Sequence, residues 1–442
     1  MSRVVSPQHH VVIVGGGFAG LHAARQLGRS GYEVTLLDKR NFQLFQPLLY
    51  QVATGSLAPG NIAIPQRVVL RKYPKVRTIT GTAYDVDPQR RILRHENGEL
   101  EYDTLIVATG VKHHYFGNDQ WREFAPGLKT VEHAIEIRRK LFRAFEMAEQ
   151  ESDPARRRAL LNFVIVGGGP TGVELAGAIG ELCHKTMVRD FRQIDPRDAQ
   201  ILLIEGAPDV LPPFAEKLRK QARKHLEALG VTVITNTLVN AVDAHGITAK
   251  GPDGELKIAS RTVLWAAGVR ASHFGEVLSE RAGVELDRGG RVRVEPDCSL
   301  PGHPEIFVVG DLGRLTDVKG REVPGLAPAA IQQGRYVAGV IRRRHANKPI
   351  KPFRYTDKGT MAVIGFNRAV GDLNFMKVSG ISAWFLWAFV HIWSLIDGRQ
   401  RVAVFTEWAW KYVTRRSGDR LITGDPTKTS ELRAERLRDK AA

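Results

Sequence analysis

Two short apolar runs, each leading into a glycine-rich turn, constrain this chain more than any other feature: HHVVIVGGGFAG at 9–20 and NFVIVGGGPTGVELAG at 162–177. Both read as a buried strand, a tight turn and the start of a helix, the opening of a βαβ unit. Gly15, Gly17 and Gly20 in the first, and Gly167, Gly169 and Gly172 in the second, have GxGxxG spacing. Glycines so spaced let the backbone approach a pyrophosphate at a helix N-terminus.

An acid at the end of the following strand completes such a site by accepting a hydrogen bond from a ribose hydroxyl. Asp38 lies 18 residues beyond Gly20, near the usual spacing. In the second unit ILLIE ends at Glu205, 33 residues beyond Gly172, so the helix or the loop after it must be extended. The bland reading of each is an exposed strand-end carboxylate. Two copies about 150 residues apart point to one nucleotide-binding unit inserted in another.

The fold expected is therefore α/β, with two doubly wound, Rossmann-like, three-layer dinucleotide-binding domains. The boundaries read as 1–120 for the first part of one domain, 121–285 for the inserted domain, 286–376 for the return, and 377–442 for a separate C-terminal element. A hairpin region is expected over 76–102, a helix over 132–151 and a linker over 153–158. Five of the seven tryptophans fall between Trp384 and Trp410. The apolar run Ile381–Ile396 has 16 residues, below the ~20 of a helical span, so it reads as an interfacial, membrane-contact segment. In the stretch after it, Phe405, Trp408, Ala409 and Tyr412 share one helical face, with Glu407 and Lys411 opposite as an i,i+4 pair. Lys377, Arg399, Arg401, Arg415 and Arg416 are placed to meet anionic lipid, and the charged stretch from Thr427 reads as a mobile tail. A dimer interface or a domain-capping helix is the alternative use of this region.

The net charge of +17 suits polyanions without choosing among them, and no basic-aromatic nucleic-acid module is present. Cys183 and Cys298 lie 115 positions apart without CxxC spacing, which sets aside disulfide-rich and cysteine-ligated metal sites. The first apolar run is too short for a signal peptide, so the N-terminus is expected to be cytosolic. No metal site is expected, and His391 reads as a hydrogen-bonded core or interfacial residue.

Two further features stay open on the residues alone. Thr171 and Glu174 have capping-box spacing, so Glu174 is either a cap or part of the catalytic neighbourhood. Gly310 and Asp311 end the strand EIFVVGD, as a plain turn or as a site whose carboxylate accepts a ribityl hydroxyl.

The motifs GGGFAG, LLDKRNFQLFQPLLYQVATGSL, LIVATG, VGGGPTGVELAG, LWAAGV, IFVVGDLG, LAPAAIQQGRYVA and VHIWSLIDGRQR together resemble those of the type II NADH:quinone oxidoreductases, from about Val11 to Ile422. The resemblance implies FAD on Gly15, Gly17, Gly20, Asp38, Gly110 and Asp311, and NADH on Gly167, Gly169, Gly172, Glu174 and Glu205. Phe18, Ala19, Lys39, Gly268 and Gly310 join the cofactor-binding set. It places Glu174 near flavin and nicotinamide. The family's AQxAxQ pattern reads here as Ala327, Pro328, Ala329, Ala330, Ile331 and Gln332. Pro328 replaces the first glutamine, so the quinone side is expected at Ala330, Gln332 and Gln333, with Gln332 and Glu174 as the catalytic pair.

The expected reaction is oxidation of NADH with two-electron reduction of a membrane quinone, without proton pumping, by a peripheral protein on the cytoplasmic face of the membrane. The expected partners are the quinone and an anionic lipid surface, with a homodimer as a further expectation. A disulfide reductase or sulfide:quinone oxidoreductase needs redox cysteines that this sequence does not place near the first ribose acid. Reduction of a soluble electron carrier, and a non-catalytic NADH sensor, are the alternatives.

Overall fold

The computed structural model describes residues 9–414, 416 and 418–424. Its first sheet runs Ser299–Leu300, His303–Val308, Thr104–Val107, His10–Val14, Glu33–Asp38, Val76–Thr80. All neighbours are parallel except the short edge pair Ser299–Leu300 with His303–Val308. Side chains alternate across a strand, and both faces of His10–Val14 are buried. Val11 and Ile13 pack with helices Phe18–Arg29 and Ala327–His345. Val12 and Val14 pack with Val86 and Leu93 of an antiparallel sheet, Ala83–Asp87, Ile92–His95 and Gly98–Glu101.

The second sheet repeats this plan. Its parallel strands run Val231–Ile234, Gln200–Ile204, Asn162–Val166, Thr262–Trp265. Phe163 and Ile165 face helices Pro170–Glu181 and Val131–Gln150, while Val164 and Val166 face the antiparallel strands Leu238–Asp243 and Gly246–Gly251. The expected α/β architecture with two three-layer units is what the chain adopts.

The chain leaves the first unit through Val111–His113 and returns through Val269–Ala271, and these two segments pair antiparallel with His113 opposite Val269. Several sequence-based boundaries shift accordingly. Tyr115 stacks on Trp265, so the inserted unit begins before residue 121. Helix Phe274–Ala282 packs on Ala83–Asp87, with Arg281 Nε donating to Asp85 at 2.7 Å, so the return precedes residue 285. The boundary at 376/377 falls inside an antiparallel sheet, Thr360–Gly365, Arg368–Asp372 and Lys377–Gly380, because the third strand pairs with the second. Val76–Thr80 is a parallel strand of the main sheet rather than half of a hairpin. The expected linker is a helix, Pro154–Leu161, started by Asp153, whose carboxylate accepts the Arg156 N–H.

Two helices follow the last sheet, Ile381–Ser394 and Gly398–Thr414. Among the described residues no helix is long and apolar enough to cross a membrane. The face assignment of the second helix changes. Gln400 and Val404 are its buried residues, Trp408 and Lys411 turn inward, Tyr412 packs its ring against Phe366 and Trp384, and Val402, Phe405, Trp410 and Val413 turn outward. Lys411 Nζ donates to Ser56 Oγ at 3.0 Å instead of sitting on an open face. Packing against 50–56 overrides the pattern because an indole N–H and a long ammonium stem both find partners there. Arg415 and the stretch from Thr427 lie outside the described residues.

Candidate active site

The two glycine-rich turns superpose in their hydrogen bonds. Gly15 N–H donates to Leu37 O and Gly167 N–H to Ile204 O, each at 2.8 Å. Gly15 and Gly167 adopt φ of +100° and +107°, a region that disfavours any side chain. A Cβ on Gly20 would lie 1.9 Å from Gly15 O, and one on Gly172 1.8 Å from Gly167 O, so helix and strand touch through bare backbone. Above Gly17, Gly169 and Gly110 an added Cβ meets nothing within 4 Å. The helix starts are thus open to an anionic group.

Asp38 and Glu205 close the two turns. Asp38 accepts the N–H of Gly16 at 2.5 Å and of Arg40 at 2.8 Å. Glu205 accepts the N–H of Gly168 at 2.5 Å and of Ala207 at 2.7 Å. Lys39 is exposed beside Asp38. Phe18 opens the first helix and meets Phe45 edge-on with centroids 6.0 Å apart.

The strand ending at Val308 delivers Gly310 and Asp311 to the same end of the first sheet. A Cβ on Gly310 would lie 3.6 Å from Ala19 Cβ and 3.7 Å from Ala330 Cβ, so three separated segments meet there. Gln333, buried, accepts the Gly310 N–H at 2.7 Å. Asp311 lies 3.9 Å from Lys129 Nζ, a partner the sequence did not single out. Asp311 also lines a cleft of about 810 Å³ with Val111, Val269 and Ala271. Gly268, φ +71°, immediately precedes the return strand Val269–Ala271, and its carbonyl accepts the His114 N–H at 3.3 Å.

Gln332 faces elsewhere. Its amide donates to Thr356 O at 3.0 Å and accepts Thr356 N–H at 2.9 Å, which ties helix 327–345 to the segment before the C-terminal sheet. The structure thus brings Ala330 and Gln333 to Gly310 and leaves Gln332 on the strap beside it.

Glu174 is not a cap. Helix Pro170–Glu181 starts from Gly169, so its third position is Gly172 and Glu174 lies deeper. It lines a cavity of about 50 Å³ with Tyr50, Gln51, Glu181, Gly365, Trp384, Trp387, Trp408 and Lys411. That is room for a water or the carbonyl edge of a substrate. Desolvation by burial raises the pKa of Glu174 to about 8. The close approach of Gly177 to Ile364 O, 1.6 Å from an added Cβ, seats the C-terminal sheet against this helix. Glu181, one turn pair further on, accepts the Phe366 N–H. His391 is held by its own helix, Nδ1 2.7 Å from Trp387 O, and desolvation lowers it to about 4.

Sequence reasoning missed Tyr50, Gln51, Lys129 and Glu181. The signal for the first two was present in FQPLLYQVATG, where a tyrosine and a glutamine interrupt an apolar run.

Two dinucleotide turns, each closed by a strand-end carboxylate, around a buried glutamate define a two-nucleotide flavoprotein oxidoreductase. The family model for pyridine nucleotide-disulphide oxidoreductases matches residues 9–334, and that for the NDH2 C-terminal domain matches 358–417. The type II NADH:quinone oxidoreductase Ndh of Mycobacterium tuberculosis is 43% identical over 443 residues, 98% of this chain and 94% of that protein. NdhA of the same organism is 43% identical over 431 residues, 95% of this chain and 90% of that one. NDH2 from Plasmodium falciparum in complex with NADH has the same fold, with a TM-score of 0.86 at 20% identity, covering 94% of this chain and 100% of that chain. The chain belongs to the type II NADH:quinone oxidoreductases, enzymes of this flavoprotein class that use FAD and NADH.

Proposed function

We propose that this chain oxidises NADH through bound FAD and reduces a membrane quinone by two electrons, without translocating protons. The carrying observation is the pair of equivalent carboxylates, Asp38 and Glu205, each closing an open glycine turn. The residues present fit FAD: Gly15, Gly17 and Gly20 leave open backbone for a pyrophosphate, Asp38 suits a ribose, and Gly110, Gly310 and Asp311 suit the ribityl chain, with Phe18, Ala19 and Lys39 at the rim. Gly167, Gly169, Gly172, Glu205 and Gly268 would hold NADH in the same way. FAD, when bound, accepts a hydride from NADH and passes on its two electrons. Glu174 and the residues around its cavity hold a proton and exclude bulk water, Gln333 fixes Gly310, and Ala330 and Gln332 stand on the quinone side. The flavin unit takes the chain up to His113 and again from Val269, with the NADH unit between and the C-terminal unit from about Thr360.

Membrane contact belongs to the C-terminal helices. Phe385, Phe389, Trp393, Val402, Phe405 and Val413 are more than half exposed, an apolar group that favours a lipid boundary. Arg399 and Lys377, both exposed, supply the cationic rim for anionic headgroups of the cytoplasmic leaflet. A homodimer through part of the same face is the second use, read by sedimentation in detergent.

Anaerobic stopped-flow spectroscopy tests the core reading. NADH must bleach the flavin and a menaquinone or ubiquinone analogue must restore it. An NADH-driven pH gradient in proteoliposomes holding only this chain would overturn the non-pumping part.

A further inference from the structure

An indole N–H can donate a hydrogen bond and never accept one. Trp408 Nε1 lies 2.7 Å from Gln51 Oε1, which fixes the orientation of the Gln51 amide: its oxygen faces the tryptophan. The amide nitrogen then faces Tyr50, and it donates to the Tyr50 hydroxyl at 2.8 Å. The phenol oxygen is therefore an acceptor in this contact, and its own proton is left to point away from Gln51. Tyr50 is buried, and it lines the cavity that Glu174, Glu181 and Lys411 also line. The arrangement is directional from the C-terminal helix inward: Trp408 to Gln51 to the Tyr50 oxygen, with one donor hydrogen left for the cavity.

We propose that Tyr50 is the proton donor to the quinone oxygen, and that Gln51 and Trp408 are positioning residues that aim its hydroxyl. This rests on the quinone reading above. Reduction of a quinone to its quinol takes up two electrons and two protons. A hydride equivalent brings both electrons and one proton. The other is released as the Tyr50 O–H bond breaks and a quinol O–H bond forms. The Glu174 carboxyl returns a proton to the phenol oxygen and is itself recharged from water.

The test uses full-length protein with FAD in detergent and four variants: Tyr50→Phe, Gln51→Leu, Trp408→Phe and Trp408→Leu. Three measurements are made: bleaching by NADH, recovery of the bleached flavin with a short-chain ubiquinone in H2O and D2O, and binding of the same ubiquinone to oxidised protein without NADH, by tryptophan quenching. In Tyr50→Phe the recovery step should slow at least ~100-fold, the loss expected of a missing general acid. Its solvent isotope effect should vanish. Ubiquinone affinity should fall by ~5-fold, the worth of one hydrogen bond. Trp408→Phe keeps an aromatic ring against Trp387 while the N–H is lost with the smaller side chain, so a slower recovery with unchanged melting temperature identifies aiming rather than packing. Trp408→Leu and Gln51→Leu should be slower still, without exceeding Tyr50→Phe. Recovery in Tyr50→Phe at the wild-type rate, or with the wild-type isotope effect, overturns the proposal. Failure of the wild type itself to recover with any quinone overturns the functional reading instead.

Discussion

Asp38 and Glu205 hold the same place in two copies of one turn: each carboxylate takes the N–H of the middle glycine at 2.5 Å and the N–H of the residue two positions after itself. In the second copy this leaves a fixed negative charge where an adenosine ribose would lie. The arginines that follow are already engaged, since Arg223 lies 3.4 Å and Arg219 4.0 Å from Asp209. A 2′-phosphate would therefore meet Glu205 uncompensated, at about 4 kcal/mol for unit charges ~4 Å apart and an effective dielectric near 20, before screening. NADH should be preferred over NADPH by a large factor in kcat/KM, and Glu205→Gln should narrow the gap. Equal efficiencies in the wild type would refute the assignment.

Glu174 links stability to pH. Its carboxyl is raised from an ordinary 4.5 to about 8 by burial. Below 4.5 the folded and unfolded forms are both protonated and nothing differs. As pH rises towards 8 the unfolded chain has ionised while the folded one keeps its proton. Folded protein then loses up to ~1.4 kcal/mol per unit, less whatever the cavity's water contact screens. Glu174→Gln removes this, so its melting temperature should exceed the wild type's at pH 8 and match it at pH 4. Parallel melting curves across that range would show the carboxyl ionises normally.

Gln333 and its neighbour Gln332 should separate cleanly. Gln333→Leu strips the Gly310 N–H of its acceptor in a buried place, costing ~1–3 kcal/mol, and should weaken FAD retention. Gln332→Ala loses two exposed bonds to Thr356 and should change stability by ~0.5 kcal/mol or less. Flavin release during gel filtration reads the difference. The idea fails if Gln332→Ala sheds flavin as readily as Gln333→Leu.

Membrane binding is best tested on the outer face of the C-terminal helices. A truncation before Lys377 would remove a strand paired with Arg368–Asp372 and unseat the sheet beside Glu174. Replacing Phe389, Trp393 and Phe405 by serine alters only exposed positions. Co-sedimentation with anionic liposomes should be lost while NADH still bleaches the flavin. Undiminished binding by the triple variant would move the contact elsewhere.

The parts of this architecture legible in the sequence are those whose cause is local. Gly15, Gly20, Gly167 and Gly172 stand where an added side chain would meet backbone, and the strand-end acids Asp38 and Glu205 follow from the strands that end beside those turns. Glu174 was ambiguous because Thr171 and Glu174 satisfy a capping spacing, and only the helix start at Gly169 decides against it. The C-terminal helix was read with Trp408 outward because periodicity reports an apolar stripe but not which partner covers it; Gln51 lies 357 positions away. Gln332 and Gln333 are adjacent in sequence and turn to different partners, which follows from their helical phase against Gly310 and Thr356.

His113 and Val269 stand opposite each other in an antiparallel ladder, although the chain travels through the whole inserted unit between them. Entry and exit of an insertion so placed are geometrically interchangeable with a hairpin turn. Excising 114–268 and joining the two ends through an Asn-Gly pair should yield a continuous two-stranded hairpin. The apolar side chains of Leu48, Leu49 and Val52, which now pack against the inserted unit, would need polar replacements. The molecule thus contains the plan of a smaller flavin carrier of roughly two-thirds its length, separable from the nucleotide module that feeds it.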